Sequence, residues 1–300
     1  MTIAQHDPES RDRITSAFFR GPEAGGSLTP DAIAVAAEEM GVRKAGYDTL
    51  TLFALAVLAG VFIGLGAMFA TTVVAGADGM MPYGVTRLLA GISFSLGLVL
   101  VLIGGAQLFT GDMLMVMAWA SRRINTRRMV RVWVLVWLGN LVGAVGTAAL
   151  VFLSGQYTFG QNAIGIAALH YAEAKSALPV VDAFFLGILC NILVCLAVWL
   201  TLAGRTVADR IAAIILPVTA FVAAGFEHCI ANMYYLSLGL MIEFGAPESF
   251  WAAIGHHEAA IPIGGVLTNL AVVTAGNWVG GALIVGGTYW LIYRRPGKTH

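Results

Sequence analysis

Charged residues are scarce in this chain: Asp, Glu, Lys and Arg make up 11% of 300 residues, while 58% are hydrophobic. A soluble domain carries roughly 25% charge, so the composition excludes an ordinary soluble globule and implies a polytopic membrane protein. The little charge present cancels, seventeen basic against seventeen acidic residues, so no net field draws nucleic acid or an anionic surface to the chain as a whole. Cysteine is nearly absent. Cys190, Cys195 and Cys229 all lie in apolar segments, and an odd count without paired spacing excludes a disulfide framework and a zinc site. Also missing are His-Glu-x-x-His, a phosphate-binding glycine loop and a Gly-x-Ser-x-Gly elbow, so the chain does not read as an enzyme, and no cofactor or metal is expected. His256, His257 and Glu258 resemble a ligand cluster, but adjacent histidines point apart in regular structure and read as surface polar residues. The Asn-Pro-Ala pairs of water and glycerol channels are absent too. No short apolar core of a cleavable signal precedes residue 46, so the first span is expected to act as the insertion signal.

What is there is apolar and segmented. With a crossing of about 20 residues in mind, six spans emerge at Leu50–Val74, Val85–Ala120, Val130–Leu153, Val181–Leu202, Ile211–Ile242 and Leu267–Tyr293. The second and fifth are overlong and interrupted. Arg11, Arg13, Arg20, Arg43 and Lys44 precede the first span; Arg122, Arg123, Arg127, Arg128 and Arg131 join the second to the third; Arg205 and Arg210 join the fourth to the fifth; and Arg294, Arg295 and Lys298 close the chain. The opposite loops offer only Arg87 and Lys175. By the positive-inside rule both termini are cytoplasmic, in a bacterial inner membrane. The expected organisation is a cytoplasmic segment at 1–46, a pore domain at 47–295 and a short tail at 296–300. Within the first segment, Thr29-Pro30-Asp31 reads as an N-cap, a first-turn proline and an acidic first turn opening a helix to about Arg43. Its stripe of Ile33, Ala36, Ala37 and Met40 is weak, which suits a helix on the cytoplasmic face. Residues 1–28 are rich in Gly, Ser and charge and are expected to be poorly ordered.

An internal echo runs through the spans. Gly139-Asn140-Leu141-Val142-Gly143-Ala144 in the third matches Gly276-Asn277-Trp278-Val279-Gly280-Gly281 in the sixth. Small residues at this spacing let backbones approach, and each Asn can bond across an interface. Two three-helix halves would pair these spans, and would also pair the two interrupted ones. Three spans per half means the halves are inverted, and broken spans in matching positions point to a site at the midplane between them. The first break falls within Gly104-Gly105-Ala106-Gln107-Leu108-Phe109-Thr110-Gly111-Asp112. The second falls at Gly225-Phe226-Glu227-His228. A titratable side chain at bilayer depth costs at least about 2.5 kcal/mol, and irregular backbone survives there only when buried or lining a cavity. His228 therefore reads as a pore histidine, and Glu227 as its support.

The strings Gln107-Leu108-Phe109-Thr110, Gly187-Ile188-Leu189-Cys190-Asn191, Phe226-Glu227-His228 and Ile230-Ala231-Asn232-Met233 closely resemble the formate/nitrite transporter family, its formate branch best. The likeness runs from about Asp31 to Tyr293. It implies an all-α protein with an aquaporin-like six-helix fold and a pore in each protomer of a homopentamer. It also implies roles: His228 as the central pore histidine, Thr110 as its hydroxyl partner, and Phe94, Leu98, Leu108 and Phe221 as two hydrophobic constrictions. Asn191 would be a pore asparagine facing the histidine, and Lys175 a vestibule lysine that attracts anions. Gln107 departs from the family, which carries a carboxylate there, and Thr110-Gly111 is closer to the nitrite branch.

The implied substrate is a small monovalent anion, formate first, with nitrite, hydrosulfide, acetate and lactate as alternatives, and protons as possible co-passengers. A bare carboxylate in a dry ring is prohibitively costly, so passage as the neutral acid removes the barrier. An imidazolium donor near pH 6.5 and an acid of about 3.7 differ by almost three units, so the transfer starts roughly 4 kcal/mol uphill and desolvation of both ions must recover it.

Overall fold

The computed structural model describes residues 26–255 and 260–296. His256, His257, Glu258, most of the 1–28 segment and Lys298 lie outside the described residues. The described chain is helical throughout, without strands, and five of its helices are long and apolar enough to cross a membrane.

Helix α1 (Pro30–Ala45) starts as its sequence dictates: Pro30 occupies the first turn, and Thr29 Oγ1 accepts from the Ala32 N–H at 3.5 Å. It does not lie loosely on a surface. Ile33, Ala34, Ala37 and Met40 are buried against the bundle, and Glu38, fully buried, accepts from Ser121 and from Arg294 at 3.1 Å. At its far end Lys44 pairs with buried Asp112. Helix α2 (Thr49–Val74) is the first span, capped by Asp48, and α3 (Tyr83–Gly104) begins the second. The chain then breaks through Gly105, whose φ of 86° favours glycine. It resumes as a tight turn at Gly111–Met115 and a short α4 (Val116–Ala120). Helix α5 (Thr126–Leu153) is the third span and α7 (Val180–Ala203) the fourth.

The stretch read as one fifth span is two 17-residue helices, α8 (Val207–Ala223) and α9 (Cys229–Gly245), with Gly225 at φ 77° between them. The sixth runs as α11 (Ile263–Trp278), nine residues of π-helix at Val279–Gly287, and α12 (Thr288–Tyr293). That wide segment was not legible in a continuous apolar pattern. Two further helices were missed: α6 (Ala163–Ser176) between the third and fourth spans, and α10 (Glu248–Ile254) after α9. Neither has the length or apolar run that marks a span.

The glycine echoes mark the tightest crossings. A Cβ on Gly143 would collide with the Val57 carbonyl of α2, and one on Gly280 with the Ile188 carbonyl of α7. Contacts this close seat α2 on α5 and α7 on the π-helical stretch that follows α11, and no larger residue fits. Each crossing then fixes a break by the same hydrogen-bond scheme. Asn140 Nδ2 donates to the Ala56 carbonyl at 2.7 Å and the Gln107 carbonyl at 2.9 Å, while its Oδ1 accepts from the Phe109 N–H at 2.9 Å. Asn277 Nδ2 donates to the Gly187 carbonyl at 2.7 Å and the Glu227 carbonyl at 2.9 Å, while its Oδ1 accepts from the Cys229 N–H at 2.9 Å. Even the flanking backbone bonds correspond, Gln107 N–H to Leu55 at 3.1 Å and Glu227 N–H to Leu186 at 3.3 Å. Backbone groups freed by each interruption are thus satisfied inside the protein, as the membrane requires.

Candidate functional site

His228 sits at the second break as the N-cap of α9. The Ala231 N–H donates to its Nδ1 at 3.1 Å, which satisfies one donor of the helix end and fixes the ring. Since Nδ1 accepts, the neutral ring carries its proton on Nε2. Nε2 lies 2.9 Å from Thr110 Oγ1, which comes from the first break. In this tautomer the imidazole N–H donates to the hydroxyl, and the threonine proton is left to serve another acceptor. Both residues are buried. The two interruptions are thereby joined side chain to side chain.

A cavity of about 250 Å³ opens above this pair. Its floor holds His228 with Phe94 and Phe221, whose rings meet edge to face at 5.7 Å, and Phe221 stacks 5.9 Å from the imidazole. Glu227, Lys175, Arg87, Tyr235 and Asn232 line the walls. Leu98 lies one turn along α3 from Phe94, and Leu108 lies in the first break; both are buried and neither lines this cavity. A second cavity, about 340 Å³, occupies the opposite end beside Leu102, Met40, Arg43 and Val198. Leu98 therefore stands between residues of the two cavities along one helix, Phe94 on one side and Leu102 on the other.

Lys175 is not a free cation. It comes from α6, the helix that sequence reasoning missed, and its Nζ lies 2.7 Å from Glu227 Oε1. Glu227 Oε2 accepts from Asn232 Nδ2 at 2.6 Å, and Asn232 also donates to Asn269 Oδ1 at 2.7 Å. Asn269 Nδ2 closes the ring on the Lys175 carbonyl at 2.9 Å. Glu227 therefore ties α6, α9 and α11 together beside the histidine. Burial of this pair is tolerated because each charge has its partner and further hydrogen bonds. Arg87, treated in the sequence only as a sparse loop charge, lines the same cavity and donates through Nε to the Ala223 carbonyl at 3.3 Å and through its guanidinium to Val222. Those acceptors are neutral carbonyls, and no carboxylate lies within ion-pair distance of Arg87 among the described residues. A lone arginine in the first turn of the second span was the available signal.

Asn191 does not line the cavity. Its Nδ2 donates to the Thr110 carbonyl at 3.2 Å and the Asn277 carbonyl at 2.6 Å, so it holds the backbone that carries Thr110. Gln107 Oε1 is buried without a partner among the described residues. The charge of the first break sits instead on Asp112, paired with Lys44. No group of three His, Cys, Asp or Glu suited to a metal occurs among the described residues.

Comparison with known proteins bears directly on this architecture. A family model described as formate/nitrite transporter matches residues 31–291. The chain is 44% identical over 278 residues to the formate channel FocA of Escherichia coli strain K12, covering 91% of this chain and 97% of that one. It is 34% identical to the nitrite transporter NirC of the same organism, covering 83% of this chain and 85% of that one. Among solved structures, a pentameric formate channel with formate bound superposes with a TM-score of 0.78 at 43% identity, covering 82% of this chain and 98% of that one.

Proposed function

Because the chain belongs to the formate/nitrite transporter family, we propose that it is a pore for small monovalent anions, with formate its foremost substrate. The observation that carries this reading is the Thr110–His228 contact of 2.9 Å beneath the cavity that Arg87 and Lys175 line. Formate is favoured over nitrite by the higher identity to formate channels than to the nitrite transporter. The chain reads as a homopentamer with a pore in each protomer, since the similar solved structure is a pentamer.

The remaining architecture follows the same reading. α8 and α9 together make the fifth of six crossings, and the two halves, each with its asparagine-held break, are inverted in an aquaporin-like arrangement. Charge orients the bundle. Eleven Lys and Arg side chains and six carboxylates lie at the end that holds α1, against two and six at the other, among the described residues. The arginine-rich end, with both termini, faces the cytoplasm of a bacterial inner membrane. Residues 1–46 then form the cytoplasmic segment, 47–295 the pore domain and 296–300 the tail.

Transport proceeds in three stages. An anion is drawn into the cavity by the Arg87 guanidinium, which stands in its wall beside the Lys175–Glu227 pair. It sheds water against Phe94 and Phe221 and meets Thr110, whose hydroxyl is free to donate because its oxygen already accepts from His228. His228 first takes up a proton from water at the mouth on Nδ1, in place of the Ala231 N–H contact. The imidazolium then gives its Nε2 proton through Thr110 to the anion and returns to neutral, and the substrate passes Leu98 and Leu108 as the neutral acid, avoiding the cost of a bare charge in a dry constriction. Asn191 and Glu227 hold the two reacting side chains. Proteoliposome uptake of formate, nitrite, acetate, lactate and glycerol under an imposed pH gradient tests this. Formate uptake should be fastest and should rise with an inward proton gradient. Uptake of every anion that ignored the gradient would refute proton-assisted passage, and glycerol flux equal to formate flux would refute the anion pore.

A further inference from the structure

At the arginine-rich end, two open grooves of about 830 and 550 Å³ meet at Asn125 and Arg128. Trp119 and Trp290 wall the larger, with Arg122 and Arg123; Tyr47, Arg127 and Arg131 wall the smaller. Some of this charge is already engaged. Arg123 pairs with Glu39 at 2.7 Å and lies 3.8 Å from Glu38, and Arg131 donates to the Tyr47 carbonyl at 3.1 Å and Thr49 Oγ1 at 2.9 Å. Arg122, Arg127 and Arg128 are exposed and have no carboxylate within ion-pair distance among the described residues. Asp48 nearby spends its oxygen on the Thr51 N–H at 3.0 Å. Three exposed guanidiniums around one loop, without counter-charge, make a strong phosphate acceptor.

The indoles and an apolar stripe show which kind of phosphate fits. Both tryptophan N–H groups are engaged by hydroxyls of the protein, Trp119 by Thr126 Oγ1 at 3.0 Å and Trp290 by Ser121 Oγ at 2.9 Å. Amphipathic rings at the ends of apolar helices mark the headgroup level of a bilayer. From Arg127, the same face of α5 continues through Val130, Val134, Leu138 and Val142, each 42–53% exposed. Charge at the base and an uncovered apolar track rising from it match a phosphate ester that carries an acyl chain. We infer that this face, centred on Arg127 and Arg128, binds the headgroup of an anionic phospholipid with its chain along α5. The inference rests on the membrane placement proposed above and is independent of which ion is transported.

Native mass spectrometry of the purified full-length protein, titrated with phosphatidylglycerol or phosphatidylcholine, tests it. Wild type should retain phosphatidylglycerol on the order of tenfold more tightly than phosphatidylcholine, and R127Q/R128Q should lose that preference while formate flux in phosphatidylcholine liposomes is unchanged. Equal retention of the two lipids, or an unaltered preference in the variant, overturns the proposal. Displacement of phosphatidylglycerol by inorganic phosphate alone would also overturn it, since the groove would then read free phosphate. A variant that falls to smaller oligomers with its lipid preference intact would assign the face to a subunit contact instead. Should the double variant not yield folded protein, Arg122→Gln must lower the preference on its own, and R127K/R128K must keep most of it.

Discussion

Replacing Asn277 by Ala probes the feature on which the whole site depends, a helix break held open by one side chain. The substitution removes three hydrogen bonds of 2.7–2.9 Å and leaves the Cys229 N–H and the Gly187 and Glu227 carbonyls without that partner in a buried setting. At about 0.6 kcal/mol per bond, the average among membrane helices, the loss is about 2 kcal/mol. Orphaned buried backbone groups cost more, about 1–3 kcal/mol each, so full exclusion of water would drive the figure higher. Partial rescue by water in the adjacent cavity favours the lower part of that range, and a loss of about 2–4 kcal/mol is expected. Because Glu227 and Cys229 flank His228, the histidine loses its registration on Thr110 as well. Unfolding in detergent gives the energy, hydrogen exchange at the Cys229 amide gives the local effect, and formate flux gives the consequence. Asn140→Ala, which removes the matching bonds at the first break, should cost a similar amount. A loss below about 0.5 kcal/mol with the Cys229 amide as protected as in wild type would refute the reasoning.

Gly143→Ala should prevent α5 from seating against the Val57 carbonyl and should yield little folded protein by size-exclusion chromatography, whereas Gly146→Ala, which meets open space, should be neutral. Lys44→Met strands the buried Asp112 carboxylate and should cost about 3–5 kcal/mol in chemical unfolding, while Lys44→Met with Asp112→Asn should recover most of it. Hydrogen bonds from the Thr206 backbone and side chain hold the Asp209 carboxyl below its ordinary value of 3.8. A depressed carboxylate contributes stability that is present above its unfolded value and lost as pH falls through the folded one, so Asp209→Asn should flatten the acid limb of a stability profile below about pH 4.

The spans, both breaks and the histidine between them were legible because each leaves a local mark: an apolar run, a glycine at a forced turn, a titratable residue where water is absent. The glycine-asparagine echo was legible for the same reason, and the structure gives it a second meaning, since Asn140 and Asn277 hold the breaks as well as bridging helices. The Lys175–Glu227 and Lys44–Asp112 pairs were not legible, because their partners are far apart in sequence and only folding brings them together. Those pairings recast two readings. Lys175 contributes to the site as half of an ion pair, leaving Arg87 as the cavity cation without a carboxylate partner among the described residues. Helix α1 is fastened under the first break by Lys44 and through Glu38 to Ser121 and Arg294, contacts that its weak apolar stripe did not reveal. Helix α6 escaped notice because a 14-residue helix of mixed polarity has neither a span's length nor a clear apolar face.

The central claim is that a hydroxyl at residue 110 passes a proton between His228 and the substrate, and formate flux into liposomes through Thr110→Ser and Thr110→Val tests it most directly. Serine keeps the hydroxyl and valine keeps the shape. Flux near the wild-type level in T110S and near background in T110V is the expected result. T110V flux equal to wild type, with the same dependence on the pH gradient, would contradict the claim.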